Sequence, residues 1–410
     1  MELKHRKKFA RTIAFLKIMF AFACSIFTRR GTGRPIVLVG GNLGEKYEDN
    51  ASVLHSYLTR ERADLDVYWL YDPSTSYVQE KQIPNAIPLG SLRNYMLFFK
   101  ADYSFHGHSI IYDIAPHIEK YIFLNRRTII THVSHGIEGF KKILIQPEDI
   151  PLLKRTDYFN CASQHEKDIK QFEWKIPEQK LTITGMPRFD RFATNIPAKK
   201  VKRILMMMTW REWLLDLDEA AFMENSYFQQ TQKLVSNPQI RQLIRDGELE
   251  IICALHPFMK RFESHFRGLA KDEPNIKFFS FNEISIQDEV ILADMLLTDY
   301  TSVSWDFLYM NKPIIFFTFD LDEFVAKRGT YMDLNKDLYG YKADTIEEVQ
   351  EILRHITAEG ATTNPWYPIA NKYIAYFDKH HCQRLADTII GPAPQLSKPG
   401  VAMNKTVEET

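Results

Sequence analysis

The sequence predicts an α/β protein built from two doubly wound parallel sheets, and three observations carry that reading. Short β-branched runs alternate with helical patterns, as in strand–helix–strand units whose parallel sheets are covered on both faces. The alternation stops in a polar stretch near the middle of the chain and then restarts. A chain of 410 residues, at about 100–200 residues per domain, suggests two or three domains rather than one. Apolar residues at 45% and charged residues at 25% lie near globular averages, which sets aside disordered, collagen-like and disulfide-scaffold classes.

The chain opens on a basic segment. Residues 1–30 carry eight Lys/Arg against the single acid Glu2, so this end is +7 and the remainder −7, although Lys+Arg and Asp+Glu both total 52. A net charge of zero offers no global field to a polyanion, and nucleic acid is not an expected partner. Thr12–Phe27 (TIAFLKIMFAFACSIF) is an apolar run interrupted by Lys17 and shorter than the ~20 residues that cross a bilayer core. Thr28-Arg29-Arg30 follows, and no small-x-small site of the kind that ends a secretory signal precedes the next strand. Residues 1–31 are therefore expected to form an amphipathic helix lying in a membrane interface, with Phe and Ile at the acyl boundary and Lys and Arg on anionic headgroups. A packed helix with a basic end is the alternative. Cys24, Cys161, Cys253 and Cys382 are scattered without a CxxC pair, which argues against a zinc site or a disulfide framework and fits a reducing cytoplasm.

The first domain is expected over residues 32–195. PIVLVGGN after Arg34 reads as a strand ending in glycines, Ala51 to Arg60 as a helix, and Asp66–Leu70 as a second strand. LFFKADYSF, RTIITHVSHG, YFNCASQHEKDIKQF and KLTITGMP continue the alternation. Ala193–Lys202 (ATNIPAKKVK) is polar, holds a proline and lacks apolar periodicity, so the linker falls there. The second domain, 196–390, restarts at RILMMM and continues through LEIICALHP, IKFFS, ADMLLTDY and KPIIFF to helices near Ile346–Ile356 and Pro368–Ile390. The tail, 391–410, includes GPAPQLSKPG and little that packs, so it is expected to be mobile.

Polar residues gather at the predicted strand ends, where open α/β sheets bind ligands. In LLTDYTSVSWDF a strand gives way to Thr298, Asp299, Tyr300, Thr301, Ser302 and Ser304 before a helical segment. Such a turn suits phosphate at a helix N-terminus, although a Ser or Thr N-cap accounts for the hydroxyls equally well. CALHPF puts His256 at another strand end, and MMMTWREW puts Thr209, Trp210 and Arg211 at a third. Hydroxyl, imidazole and guanidinium groups together suit a nucleotide diphosphate. In the first half, THVSHGIEGFKK places His135 and Gly136 after a strand, with Lys141 and Lys142 following. Glycine admits close backbone approach, and an imidazole titrating near neutrality can accept a proton from an alcohol. His106 and His108, flanking Gly107, are further candidates.

These segments together resemble the CDP-glycerol glycerophosphotransferases that prime and polymerise teichoic acids and related phosphodiester-linked capsules. The resemblance runs from about Pro35 to Tyr331 and includes GEKYEDNASVLHSYL, HVSHGIEGFKK, TGMPRFDR, TWRE, ALHP and the long block LLTDYTSVSWDFLYMNKPIIFFTFDLDEF. It implies a GT-B fold, with the acceptor in the first half and the nucleotide diphosphate held mainly by the second, across a cleft. The family's loop histidine maps to His135, its histidine before proline to His256, and its paired serines to Thr301 and Ser302. Two segments depart from the family: its HGTPLK loop reads HGIEGFK here, and MDLNKDLYG replaces a proline-glycine segment after Arg328-Gly329.

The resemblance implies attack by an acceptor hydroxyl on the β-phosphate of CDP-glycerol or another CDP-alditol, with CMP leaving. Such chemistry rests mainly on positioning and charge stabilisation. His135 is the expected general base and His256 a second catalytic candidate. Gly136, Thr209, Arg211, His256, Thr298, Asp299, Thr301 and Ser302 are the expected donor-binding set. No cofactor or metal is expected: the strings Asp216-Leu-Asp218 and Asp320-Leu-Asp322 read more simply as solvated acids than as magnesium ligands. The expected partners are a nucleotide-activated donor, a lipid-linked or polymer acceptor and the cytoplasmic face of the membrane, where a docked helix would raise the effective acceptor concentration. The rival readings are a GT-B glycosyltransferase using a nucleotide sugar and a non-catalytic scaffold.

Overall fold

A computed structural model describes residues 2–27, 33–193, 200–359 and 363–394. Its first sheet contains β1 (Ile36–Gly40), β2 (Asp66–Tyr71), β3 (Ala86–Pro88), β4 (Tyr103–His106), β5 (Ile129–His132), β6 (Tyr158–Cys161) and β7 (Leu181–Ile183). The second contains β8 (Arg203–Met207), β9 (Glu250–Leu255), β10 (Ile276–Ser280), β11 (Met295–Thr298), β12 (Ile314–Phe317) and β13 (Tyr341–Ala343). The strand orders are β3-β2-β1-β4-β5-β6-β7 and β10-β9-β8-β11-β12-β13, and all pairings are parallel. The expected pair of doubly wound sheets is thus present. The edge strands β3 and β13, three residues each, are too short to show a period in sequence.

Both orders reverse beside the first strand of their half, and such a switch point opens a crevice at the carboxyl edge. In the first sheet the crevice lies between β1 and β4. There Gly40 pairs with His106, and His106 with His132, so three strand ends stand side by side. In the second it lies between β8 and β11, where Thr298 pairs with Met207. Central strands such as Met295–Thr298 and Ile314–Phe317 are buried along their whole length, because helices cover both faces.

Two expectations about boundaries change. The sequence reading keeps residues 196–390 in one domain, but the last helix, His381–Ile389, packs into the first sheet's core, with Cys382, Leu385, Ala386 and Ile389 beside Val37, Val39 and Trp69. The Asp190 carboxylate caps that helix by accepting from the amides of His381 and Cys382, both at 2.8 Å. Gly185, with φ +80, sits against it so closely that an added Cβ would lie 2.1 Å from the His381 ring. The pattern Pro368–Ile390 accordingly breaks, and Ala375 instead donates its amide to Ala162 of the first half. Of the expected linker, Ala193–Lys202, residues 194–199 lie outside the described residues, as does the expected tail beyond 394.

The N-terminal helix runs Glu2–Phe27, and residues 28–31 of the segment assigned to it lie outside the described residues. Ile18 and Ala21 are buried against the first-sheet core. Its other side exposes Leu16, Phe20 and Phe27, the last to 86%. Among the described residues no helix is long and apolar enough to cross a membrane. Another apolar cluster joins the two halves, uniting Phe140, Met186 and Phe189 with Leu205, Trp305 and Phe316.

Candidate active site

On the first-half wall, the turn after β5 is held in an unusual backbone state. Ser134 adopts φ 61, which costs a non-glycine residue about 1–3 kcal/mol and persists only when its surroundings enforce it. The enforcement is visible. Asn50 donates to the Ser134 carbonyl at 2.9 Å, and the buried Lys170 ammonium donates to the Ser134 hydroxyl at 2.9 Å while pairing with Glu166 at 2.9 Å. Arg188 donates to the carbonyl of His135 at 2.6 Å. The same guanidinium grips Asp49 of the first half and Asp306 of the second, both at 2.9 Å, so the loop is tied to both domains at once.

The His135 ring stacks on His108 at 4.4 Å between centroids and 8° between planes. It is open to the cleft, yet protein closes around the opening. That enclosure, with the nearby charges of His108, Lys141 and Arg188, holds its pKa well below the ordinary 6.5. The ring is therefore neutral at pH 7 and able to accept a proton. His108 is positioned through its own loop: the buried Asp113 carboxylate accepts the amides of His108 at 2.6 Å and Leu43 at 3.0 Å, tying the loops after β4 and β1 together.

Opposite stands the second half. An added Cβ on Gly136 would lie 2.8 Å from the Ser302 hydroxyl, so the structure brings these two expected residues together and requires glycine for the approach. Thr301 and Ser302 precede the helix Ser304–Tyr309 at the end of β11, and Ser302 is half-buried. His256 caps the turn after β9, accepting at Nδ1 from the Phe258 amide at 3.3 Å. Its ring stacks on Trp210 at 5.2 Å. Burial, then the charge of Lys141, pushes its pKa down to about 3, so His256 is also neutral and able to serve as a hydrogen-bonding group. Thr209 places its amide on Asp299 at 2.7 Å and leaves its buried hydroxyl without a partner.

For three expected donor contacts the structure gives a different role. Arg211 is 1% exposed, hydrogen-bonded to both oxygens of Asp320 at 2.8 and 2.9 Å, and ion-paired with Asp299 at 2.9 Å. Asp299 and Thr298 are fully buried, and the Thr298 hydroxyl donates to the Met207 carbonyl at 2.5 Å. All three are buried, and their contacts tie together the ends of β8 and β11. Of the acids in the two DxD strings, Asp218 caps the helix Glu219–Glu224 and Asp320 holds Arg211.

Lys141 is the residue to which sequence reasoning gave no role. Among the described residues its ammonium has no hydrogen bond or ion pair, and it lies close enough to bias His135, His256, Asp299 and Arg211 electrostatically. Burial, followed by the repulsion of Arg328 and Arg211 acting against Asp299 and Glu138, lowers its pKa. The only signal in the sequence was its place after a glycine-containing loop. Two neutral imidazoles, two hydroxyls and a crowded lysine thus gather at the facing switch points, groups that can accept a proton and hydrogen-bond to an anion.

That geometry defines a two-domain transferase with a cleft between parallel sheets. A family model for CDP-glycerol:poly(glycerophosphate) glycerophosphotransferases matches residues 28–391, and the chain belongs to this family. It is 24% identical over 382 residues to a teichoic acid glycerol-phosphate transferase of Staphylococcus aureus, covering 84% of this chain and 90% of that one. It is 25% identical to a teichoic acid glycerol-phosphate primase of Bacillus subtilis over 69% of this chain and 77% of the primase. Against a B. subtilis poly(glycerol phosphate) polymerase the identity is 23%, and the match spans 47% of that protein's length. In fold it is similar to the solved wall teichoic acid polymerase TagF, with a TM-score of 0.69 at 16% identity over 95% of this chain and 96% of that one. The expected GT-B-like architecture holds.

Proposed function

We propose that the protein transfers glycerol phosphate, or a related alditol phosphate, from a CDP-activated donor to a hydroxyl of a lipid-linked or polymer acceptor, in the synthesis of a teichoic-acid-like or capsular polymer. The observation that carries this reading is the neutral His135, clamped at its backbone and set across the Gly136–Ser302 approach from the second-half turn. The acceptor oxygen attacks the β-phosphorus, His135 takes its proton, and the bond from that phosphorus to the bridging oxygen breaks to release CMP. Lys141, His256, Thr301 and Ser302 meet the diphosphate charge, with Arg328 in support. The acids and Arg211 behind the wall keep these groups in place.

The reaction is placed at the cytoplasmic face of the membrane, with the protein bound peripherally. Supporting this are the basic N-terminal sequence and the exposed Leu16, Phe20 and Phe27 on a helix whose other side is anchored in the core. Leu16→Glu with Phe20→Glu should reduce flotation with anionic phospholipid vesicles at least fivefold and leave turnover on a soluble acceptor intact. Unchanged flotation would refute the docking face. For the reaction, incubation with CDP-glycerol and a detergent-soluble acceptor should release CMP in step with product gains of one glycerol phosphate. CMP release without a matching mass gain would refute transfer.

A further inference from the structure

A cavity of about 360 Å³ opens beside His135 on the first-half side, within the size range of small-molecule sites. One wall is imidazole, from His106, His108, His132 and His135, and the other is apolar, from residues including Ile145, Leu153, Phe159 and Trp174. His106 is 4% exposed, and among the described residues neither of its ring nitrogens has a hydrogen-bond partner, so two buried polar atoms sit at the cavity unsatisfied by them.

The charges around the cavity decide what it accepts. Among the described residues no lysine or arginine lines it, whereas Asp149 and Glu138 do, the latter with its pKa pushed up to about 7 by burial. The buried Lys170, which acts on His132 and Glu138, is consumed by Glu166, Ser134 and the Asn160 carbonyl, and Lys141, which acts on His135, is not part of the lining. Burial keeps His106 and His132 uncharged, with His106 pushed down to about 3. A phosphodiester drawn in here would lose its hydration without gaining a counter-charge. A ring with polar edges and apolar faces would gain on both counts, stacking on Trp174 or Phe159 and bonding to His106. The cavity also shares Leu43 and Tyr112 with a groove that runs beside Arg11, Ile13 and Lys17 of the N-terminal helix, so it is continuous with the face proposed to meet lipid.

Resting on the transferase reading above, we infer that this cavity is the acceptor subsite, and that it takes the uncharged saccharide terminus of an acceptor rather than a terminus already carrying glycerol phosphate. The enzyme would then act at the first addition and hand its product on.

Two synthetic acceptors test this with the full-length protein and CDP-glycerol: a hexyl disaccharide, and the same molecule bearing one terminal glycerol phosphate. The expected kcat/KM for CMP release is at least tenfold higher with the uncharged acceptor. Ile145→Lys, on a half-buried loop position where folding is least at risk, should lower use of the uncharged acceptor and raise use of the phosphorylated one, with the melting temperature unchanged. Equal use of both acceptors, or a preference for the phosphorylated one, overturns the inference and leaves the transferase reading intact. An Ile145→Lys protein that melts normally and keeps the wild-type preference also overturns it. If CDP-glycerol yields CMP with neither acceptor, the transferase reading falls and this inference with it.

Discussion

The two halves share a strand order and a switch point but carry different polar groups at their central strand ends. At the end of β11 the second half buries a complete ion network: Arg211 is held by Asp299 and Asp320, and its guanidinium also packs near the Tyr300 and Phe324 rings. The first half gathers imidazoles at the ends of β4 and β5 and burial keeps them neutral. The contrast fits the division of labour proposed above for the two halves. A diphosphate is recognised by groups held rigidly in advance, and a buried ion network supplies that rigidity. An alcohol must lose a proton, and that requires a base kept uncharged.

The largest effect expected from breaking this division is at His135. His135→Ala should lower kcat by about 10²–10⁴-fold and leave CDP-glycerol affinity within about twofold by titration calorimetry, because the proposed diphosphate contacts are Lys141 and the second-half groups, with His135 acting on the acceptor. Lost affinity with full turnover at saturation would reverse the roles of the halves.

Arg211 comes next. Arg211→Ala should cost about 3–5 kcal/mol in urea unfolding by leaving Asp299 and Asp320 buried and unpaired. A variant of native stability that binds donor weakly would instead place Arg211 on the ligand.

Lys141 is expected to matter through binding. Lys141→Met should raise the KM for CDP-glycerol about tenfold, since a charged contact contributes about 1.5–3 kcal/mol, with little change in melting temperature. An unchanged KM would remove it from the diphosphate site.

The smallest effect is a displacement in pH. A histidine held well below 6.5 stays neutral as the pH falls through 6.5, so kcat/KM should hold its plateau there and decline only at lower pH. An acid limb centred at 6.5 or above would mean that the enclosure of His135 does not operate in solution.

Much of this was legible in the chain. β-branched runs ending in Gly40, His106, His256 and Thr298 mark strand ends, and strand ends are where such folds bind ligands. His135, Gly136, Thr301 and Ser302 were found by that logic, and the structure gathers them in one cleft. The logic failed for Arg211 because a guanidinium at a strand end reads the same whether it faces solvent or an acid 109 residues away. It passed over Lys141 because a lysine after a loop is common, and what sets this one apart is the lack of a partner among the described residues.

The sequence by itself determined the class of the fold, the two halves and the strand ends at which chemistry collects, because hydrophobic periodicity and turn residues act over a few neighbours. Only the tertiary structure decided which polar groups face the cleft, that Arg188 binds the His135 loop to both domains, and that the last helix returns to the first sheet. Those outcomes depend on pairings between distant segments. Burial makes each pairing strong, and no local pattern records it.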